Sequence, residues 1–509
     1  MAIKKQITQL ELVESEKEDL EGISKNYFQI DFLKAAMIFL VIFDHVVAWG
    51  IKSDLGVALW ERISIPVFLI IMGFNMGLSF QRSGATTLKE LYSWKYFKSK
   101  ILRYIVPFLV LYAFSTLIGL IIYQFNITAM WWNQYYPSHG FIQLFTGILP
   151  FWGPGNWFIP VIFGSILIFP LLYWAFTKKQ ILTLILCFTV EISLQLYLFF
   201  FIGDITTWEE AYIIGEVFII GLVMTSFPFY MSAIGLGLWF SFNRKPFSKR
   251  NLFIWILFPI SLVYIIAYQF FGFRLRIGNV PLIRGDYNFL VFPYSAVIVL
   301  LTLVTLPLLM KCDIFYKIFY KIFHKPISLI GKSTYHILLT QILGYGIVFA
   351  MRGTHYLIDV YSTPWDIFYL FYGWLIFIPF GILWYKIDQN KNLIRRFLYY
   401  VNFFLIFSIV VFFMYVSVNL PYPIEWIPFP MLLILIYAGI FPIIYLILRK
   451  QISTVSLSLW TCFLVYIFYV TILYIAIIPP TEFFFQNMSI STVFIFAVIG
   501  TVLDYSLKK

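Results

Sequence analysis

The sequence predicts an all-α polytopic integral membrane protein, a helical bundle of about 14 transmembrane helices, because apolar stretches as long as a bilayer crossing recur along the chain. Of its 509 residues, 61% are hydrophobic and only 12% are charged, and the mean hydropathy is +0.87. Soluble globular domains carry about twice that charged fraction. This composition excludes a soluble enzyme, a disordered chain or a nucleic-acid binder as the main interpretation.

About 14 stretches have the roughly 20 mostly apolar residues that one helical crossing requires. They cover 29–50, 61–80, 103–124, 157–176, 180–202, 212–242, 252–271, 288–310, 327–350, 366–385, 397–418, 430–448, 455–477 and 490–505. Residues 205–243 are too long for one crossing and too short for two with a loop. Pro228 and the nearby glycines therefore predict a broken helix there. Residues 85–100 and 311–325 are predicted to form amphipathic helices at the membrane interface.

Basic residues concentrate on alternate connections between these spans, on the side shared with both termini. The connection 81–103 is one example, whereas the long connection 125–156 contains no Lys or Arg. Cytoplasmic loops of membrane proteins carry an excess of Lys and Arg. Both termini are therefore predicted to be cytoplasmic, and the net charge of +12 reflects membrane orientation and not a nucleic-acid partner.

The first span contains four ionisable residues, Asp31, Lys34, Asp44 and His45, which are costly inside a membrane. Lys34 and His45 are eleven residues apart, so they share a helix face and lie about 16 Å apart along the axis. Asp31, one turn from Lys34, is placed to pair with it. This layout suits a long anionic donor that enters from the cytosol with its reactive end at His45, a proton-exchanging side chain. The alternative is two interfacial anchors and a satisfied polar histidine.

The stretch IDFLKAAMIFLVIFDH contains an Asp, a Lys three residues later and a His eleven residues further on. It resembles the opening signature of the membrane-bound acyltransferase 3 family, in which an Asp is followed three residues later by an Arg and eleven residues further on by a His. Asp31, Lys34 and His45 occupy these positions, and Lys34 keeps the charge of the arginine without its bidentate fork. Four other segments are similar to family motifs: ISIPVFLIIMGF at 63–74, KSKILRYIVPF with Arg103, GNWFIPVIF with Trp157, and LIGKSTYHILLTQ with Lys332. In the last of these segments, Leu338 occupies the position of a family tyrosine and Gln341 that of a family histidine.

The resemblance implies an acyltransferase for groups other than aminoacyl groups, of the O-acetyltransferase kind, with acetyl-CoA as the expected donor. The implied acceptor is a hydroxyl of an envelope carbohydrate or a lipid-linked sugar, at the cell membrane. Together with the residue patterns it assigns His45 and Asp31 to catalysis, Lys34, Arg103 and Lys332 to the donor, and Glu191, Trp157 and Arg284 to the acceptor.

Two of the acceptor residues are selected by their positions alone. Glu191 lies in the middle of a span with Gln195 one turn further on, which indicates either an acceptor site or a buried structural pair. Arg284 lies on an outer face with few charges and would attract an anionic acceptor; a solvated loop charge is the alternative. No residue spacing suggests a metal site or a phosphate-binding glycine loop.

The resemblance covers roughly residues 24–390, which predicts a cytoplasmic tail at 1–26, an acyltransferase-like membrane domain at 27–390 and a further four-helix segment at 391–509. Acyl-CoA, the glycan acceptor and membrane lipids are the expected partners, and a homodimer is left open. A transporter or flippase for an envelope glycan or lipid is the competing function, since many spans with buried carboxylates also suit transport. A third interpretation is an inactive sensor, prompted by Gln341.

Overall fold

The computed structural model describes six long stretches of the chain, 27–47, 49–127, 155–202, 226–273, 288–352 and 373–394, with short pieces between them and as far as residue 411. The predicted tail 1–26, Arg284 and the predicted spans beyond 411 lie outside the described residues. The four-helix C-terminal segment therefore stays a prediction.

Helices dominate the described part of the chain. They are α1 Phe28–Val46, α2 Trp49–Asp54, α3 Ser64–Ser83, α4 Leu88–Leu91, α5 Trp94–Lys100, α6 Val106–Ile122, α7 Phe158–Lys178, α8 Gln180–Ile202, α9 Met231–Phe242, α10 Leu252–Phe271, α11 Phe292–Met310, α12 Asp313–Phe315, α13 Lys321–Arg352 and α14 Ile378–Asp388. Short 3₁₀ or π turns occupy Val57–Leu59, Ile101–Ile105, Phe227–Tyr230, Lys249–Asn251, Tyr316–Tyr320 and Gly373–Phe377. Two-residue strands pair antiparallel as β1 Trp132–Asn133 with β2 Tyr136–Pro137, and β3 Arg276–Ile277 with β4 Val280–Pro281.

Each of the first ten predicted spans contains one of these helices in its described part. Among the residues that the structure describes, six helical stretches are long and apolar enough to cross a membrane. The helical membrane fold predicted from the composition is therefore confirmed. The total of about 14 crossings and the cytoplasmic position of both termini stay predictions.

Two of the predicted segments show how local residues begin a helix. At the predicted break near Pro228, the described part begins with a 3₁₀ turn that leads into α9. The single interfacial helix predicted over 85–100 is instead the two helices α4 and α5. Thr87 forms a capping box at the start of α4, and the Ser93 hydroxyl caps α5, so the chain restarts between them.

The described residues belong to two compact units, of which the first draws on residues 1–40, 55–103 and 160–332. Its centre is the crossing of α3 and α9, where glycines bring the two backbones into contact. A Cβ on Gly73 would lie 2.1 Å from the Ile234 carbonyl oxygen, and one on Gly237 would lie 1.9 Å from that of Ile70. Small residues allow such close helix packing in membranes.

The second unit draws on residues 41–54, 104–159 and 333 onward. Here α13 packs closely on α14 and the turn before it. A Cβ on Gly381 would lie 2.5 Å from the Ile337 Cα, and one on Gly344 would lie 2.3 Å from the Phe377 ring. Trp384 fills the interior of this unit and is fully buried. This packing holds the middle of α13, which carries Gln341, in a fixed position.

Candidate active site

His45 lies in the last turn of α1, in the second unit, and its side chain is half-buried. Its Nδ1 atom is 2.5 Å from Nε2 of Gln341 on α13. Gln341 is fully buried, so its amide has little freedom to leave the ring. His45 and Gln341 are separated by 296 positions in the sequence, so two helices that are distant along the chain meet at one imidazole.

The turn formed by residues 155–157 lies against the same imidazole. Gly155 has φ +88°, and a Cβ on it would be 3.2 Å from Cε1 of His45 and 3.7 Å from Nε2 of Gln341. Glycine suits this position both because the backbone angle is left-handed and because the ring occupies the adjacent space. Helix α7 begins directly after the turn, with the Phe158 amide donating to the Gly155 carbonyl at 3.0 Å. The positive end of the α7 dipole is thus next to His45.

Apolar groups surround the polar pair. Leu338 Cδ1 would be 3.3 Å from a Cβ on Gly155. Ile42, one turn before His45, packs at Gly373, where a Cβ would lie 2.7 Å from the Ile42 Cγ2. These contacts lower the local dielectric, which strengthens the hydrogen bond between imidazole and amide.

Asp44 is engaged away from the imidazole. The Lys52 ammonium lies 2.9 Å from Asp44 Oδ1 and also donates to the Asp44 backbone carbonyl, and the Lys52 side chain is almost completely buried. The Asp44 carboxylate thus forms an ion pair with Lys52, while the neutral amide of Gln341 contacts Nδ1 of His45.

The residues predicted to bind the donor lie in the first unit. Asp31, which is predicted to be catalytic, belongs to the same unit; it is buried near the start of α1, where the Ser328 hydroxyl donates to its carboxylate at 2.7 Å. Its backbone packs on α13, since a Cβ on Gly331 would lie 2.4 Å from the Asp31 carbonyl oxygen. The Lys34 side chain is half-buried, and those of Arg103 and Lys332 are exposed.

Of the residues predicted to bind the acceptor, Trp157 belongs to the second unit and Glu191 to the first. Trp157 lies in the turn beside His45 and packs edge-on against Phe158, with ring centroids 5.7 Å apart. Glu191, on α8, is fully buried in the first unit, where its carboxylate accepts hydrogen bonds from Ser232 and Gln195. These are the contacts of a buried hydrogen-bonded carboxylate, and the acceptor role of Glu191 stays a prediction. Arg284 is outside the described residues.

A second histidine belongs to a separate polar network in the second unit. His336 Nε2 lies 2.7 Å from Asp388 Oδ2, at the end of α14. The Tyr400 hydroxyl donates to the other oxygen of that carboxylate, and Arg396 donates to the tyrosine hydroxyl at 3.1 Å. This network ties α13 to the residues that follow α14.

Sequence reasoning did not identify Gln341 and Gly155 as neighbours of His45. Gln341 was visible only as a departure from the family pattern, in which a histidine occupies its position. Gly155 precedes Trp157 in a segment that resembles the family's fourth helix, but nothing in its neighbours indicates φ +88°. Gln341 and Gly155 can be recognised as part of the site only in the folded protein, where α1, the 155–157 turn and α13 meet at His45.

The described residues define a helical membrane protein with a polar site centred on the half-buried imidazole of His45, in the last turn of α1. The acyltransferase 3 family model, described as an acyltransferase domain, matches residues 27–357, more than half of the chain. The chain therefore belongs to the acyltransferase 3 family. No curated protein and no solved structure matches it significantly. The matched range includes His45, Gly155 and Gln341, and family membership supports acyltransferase activity in a membrane.

Proposed function

We propose that the protein transfers an acyl group, with acetyl as the expected case, from cytosolic acyl-CoA to a hydroxyl of an envelope carbohydrate or lipid-linked glycan at the cell membrane. His45 is the general base. The observation that carries the proposal is the contact of His45 with Gln341 and with the Gly155 turn inside the family-matched region.

Gln341 controls which nitrogen of His45 carries a proton. A general base needs a lone pair on Nε2, and therefore a proton on Nδ1 that is donated to an acceptor. The Gln341 Oε1 atom is buried without a hydrogen-bond partner among the described residues. Rotating the amide by 180° exchanges its oxygen and nitrogen in the same space. The rotated amide accepts from the Nδ1 proton, which satisfies Oε1 and directs the lone pair of Nε2 toward substrate.

His45 then accepts the proton of the acceptor hydroxyl as the hydroxyl oxygen attacks the thioester carbonyl. The new ester bond forms, the carbon–sulfur bond breaks, and His45 returns the proton to the departing thiolate. The negative charge on the tetrahedral intermediate needs hydrogen-bond donors. The backbone of the Gly155 turn and the positive end of α7 lie next to the imidazole and are the groups proposed for this role.

Lys34, Arg103 and Lys332 are proposed to bind the phosphates of acyl-CoA. All three are cations near the predicted cytoplasmic ends of the spans read from the sequence, and their charge is complementary to a polyphosphate. Asp31 is proposed to support this end of α1 through its hydrogen bond with Ser328. Trp157, adjacent to the turn, is proposed to contact the acceptor, because aromatic faces pack well on sugar rings.

The test uses purified protein in vesicles, given acetyl-CoA and envelope extract, with release of the CoA thiol and mass spectrometry of the glycans as readouts. His45→Ala is expected to lower turnover by about 10²–10⁴-fold, the usual contribution of a general base. His324→Ala is the matched control, because His324 packs against Phe28 and Tyr320 in the first unit. Undiminished acetylation by His45→Ala at normal membrane expression rejects the proposal, and the absence of CoA release by the unmodified protein favours the transporter.

A further inference from the structure

A cavity of about 1160 Å³ opens in the first unit, between helices that are long and apolar enough to cross a membrane and far in sequence from the His45 site. Small-molecule sites usually measure about 300–1,000 Å³, so this cavity is larger than a drug-sized ligand requires. One wall is a stripe of α8 that includes Ile181, Ile185 and Ile192. The opposite wall is Phe253 and Leu257 of α10.

The long dimension of this cavity matches one leaflet of a bilayer. Its α8 wall runs from Gln180 to Ile192, twelve residue steps, or about 18 Å of helix. The hydrocarbon core of a bilayer is about 30 Å thick, so one leaflet contributes about 15 Å. An acyl chain that starts at the first turn of α8 therefore remains beside this wall for its whole length.

Four basic residues converge at one end of the cavity. Lys178 and Lys179 lie where α7 ends and α8 begins, and Lys249 and Arg250 lie in the turn that leads into α10. Their side chains are exposed, and within the described part of the chain none forms an ion pair. Both connections are on the predicted cytoplasmic side, where the leaflet is anionic.

The floor of the cavity is rigid. Trp239 lines it and donates from Nε1 to Asn251 Oδ1 at 2.8 Å. Asn251 also donates to the backbone carbonyls of Asn243 and Lys245. The turn that carries Lys249 and Arg250 is therefore fixed to α9 by a buried hydrogen-bond network, so the cations and the apolar walls keep their relative positions.

We infer that this cavity binds an anionic phospholipid, with the headgroup phosphate at the four cations and one acyl chain between α8 and α10. The charge at the mouth is complementary to the headgroup, and the apolar stripe is as long as one leaflet. A zwitterionic lipid offers the same chain but no net negative charge, so the site selects by headgroup. The inference is independent of the acyltransfer chemistry at His45.

The test is native mass spectrometry of the detergent-purified protein, titrated with phosphatidylglycerol or with phosphatidylcholine that has the same acyl chains. A triple variant, Lys178→Gln, Lys179→Gln and Lys249→Gln, is expected to lose roughly 100-fold in affinity for phosphatidylglycerol, since each cation near an anionic surface contributes about fivefold. The matched control replaces Lys89, Lys95 and Lys98 with Gln, three exposed cations on the same predicted membrane side.

A second pair of variants tests the apolar wall at constant charge. Ile185→Trp fills the cavity and is expected to reduce phosphatidylglycerol binding at least tenfold. Leu186→Trp, on the same helix and similarly exposed but outside the cavity lining, is expected to leave binding unchanged. Equal losses in the two triple variants, equal binding of the two lipids, or displacement of the lipid by millimolar inorganic phosphate would each overturn the inference.

Discussion

Replacing Gln341 with leucine removes the amide that contacts His45 Nδ1 while keeping the volume of the side chain nearly constant. A buried hydrogen bond whose partner is left unsatisfied costs about 1–3 kcal/mol. If that energy holds the productive tautomer and orientation of the ring, its loss lowers kcat by roughly 10- to 100-fold, at 1.36 kcal/mol per factor of ten. The Michaelis constant for acyl-CoA is expected to stay unchanged, because the cations assigned to the donor are untouched.

The assay is steady-state release of CoA in vesicles, with activity normalised to the folded protein in the membrane. Gln341→Glu retains an oxygen acceptor for the Nδ1 proton and is expected to keep kcat within about tenfold of that of the unmodified protein. This fall in kcat is smaller than the one expected for Gln341→Leu, in which the buried hydrogen bond is removed outright. Gln195→Leu is the matched control, because Gln195 is also a buried glutamine on a transmembrane helix but is bonded to Glu191 in the first unit.

The reasoning is refuted by a Gln341→Leu protein whose kcat is within twofold of the unmodified enzyme. It is also refuted if Gln341→Glu and Gln341→Leu lose activity equally, because a purely steric role would not distinguish an oxygen acceptor from a methyl group. A loss shared by Gln195→Leu would show a general effect of destabilising the bundle.

Two further variants test the site and its surroundings. Gly155→Ala adds a Cβ 3.2 Å from the His45 ring at a left-handed backbone position and is expected to lower kcat at least tenfold. The control is Gly84→Ala, at φ +66° with open space around it. It has the same backbone strain of about 1–2 kcal/mol and is expected to leave kcat unchanged. Equal kcat values in these two variants would contradict the close approach. Glu191→Gln keeps a hydrogen-bonding group opposite Ser232 and is expected to retain acyl transfer and thermal stability; a folded but inactive Glu191→Gln protein would instead place Glu191 in the reaction.

The helical elements could be predicted because their signals are local. A run of about 20 apolar residues identifies a crossing wherever it occurs, and Pro228 marks a break because it lacks an amide proton. The prediction over 85–100 was wrong in continuity because hydrophobic periodicity does not report capping. Only the Thr87 and Ser93 side chains, bonded to backbone amides three residues ahead, show that the chain forms two helices.

The position of Glu191 illustrates a different limit. Its depth in a span indicated an unusual buried carboxylate, but the sequence could not distinguish a substrate site from a structural pair. The answer depends on α9, which presents the Ser232 amide and hydroxyl to that carboxylate. Ser232 and Glu191 are 41 positions apart and lie on different helices. Helical periodicity relates residues within one helix, so it could not predict this contact.

By itself, the sequence determined a polytopic helical membrane protein with charged residues and a histidine in its first span, and it carried the motifs of an acyltransferase. These are properties of composition and of spacing along single helices. Only the tertiary structure decided that His45 contacts the Gln341 amide and the Gly155 turn, because packing of α13 on α14 and a left-handed glycine bring three distant segments to one ring. Side-chain partners across helices depend on packing geometry, and packing is a property of the whole fold.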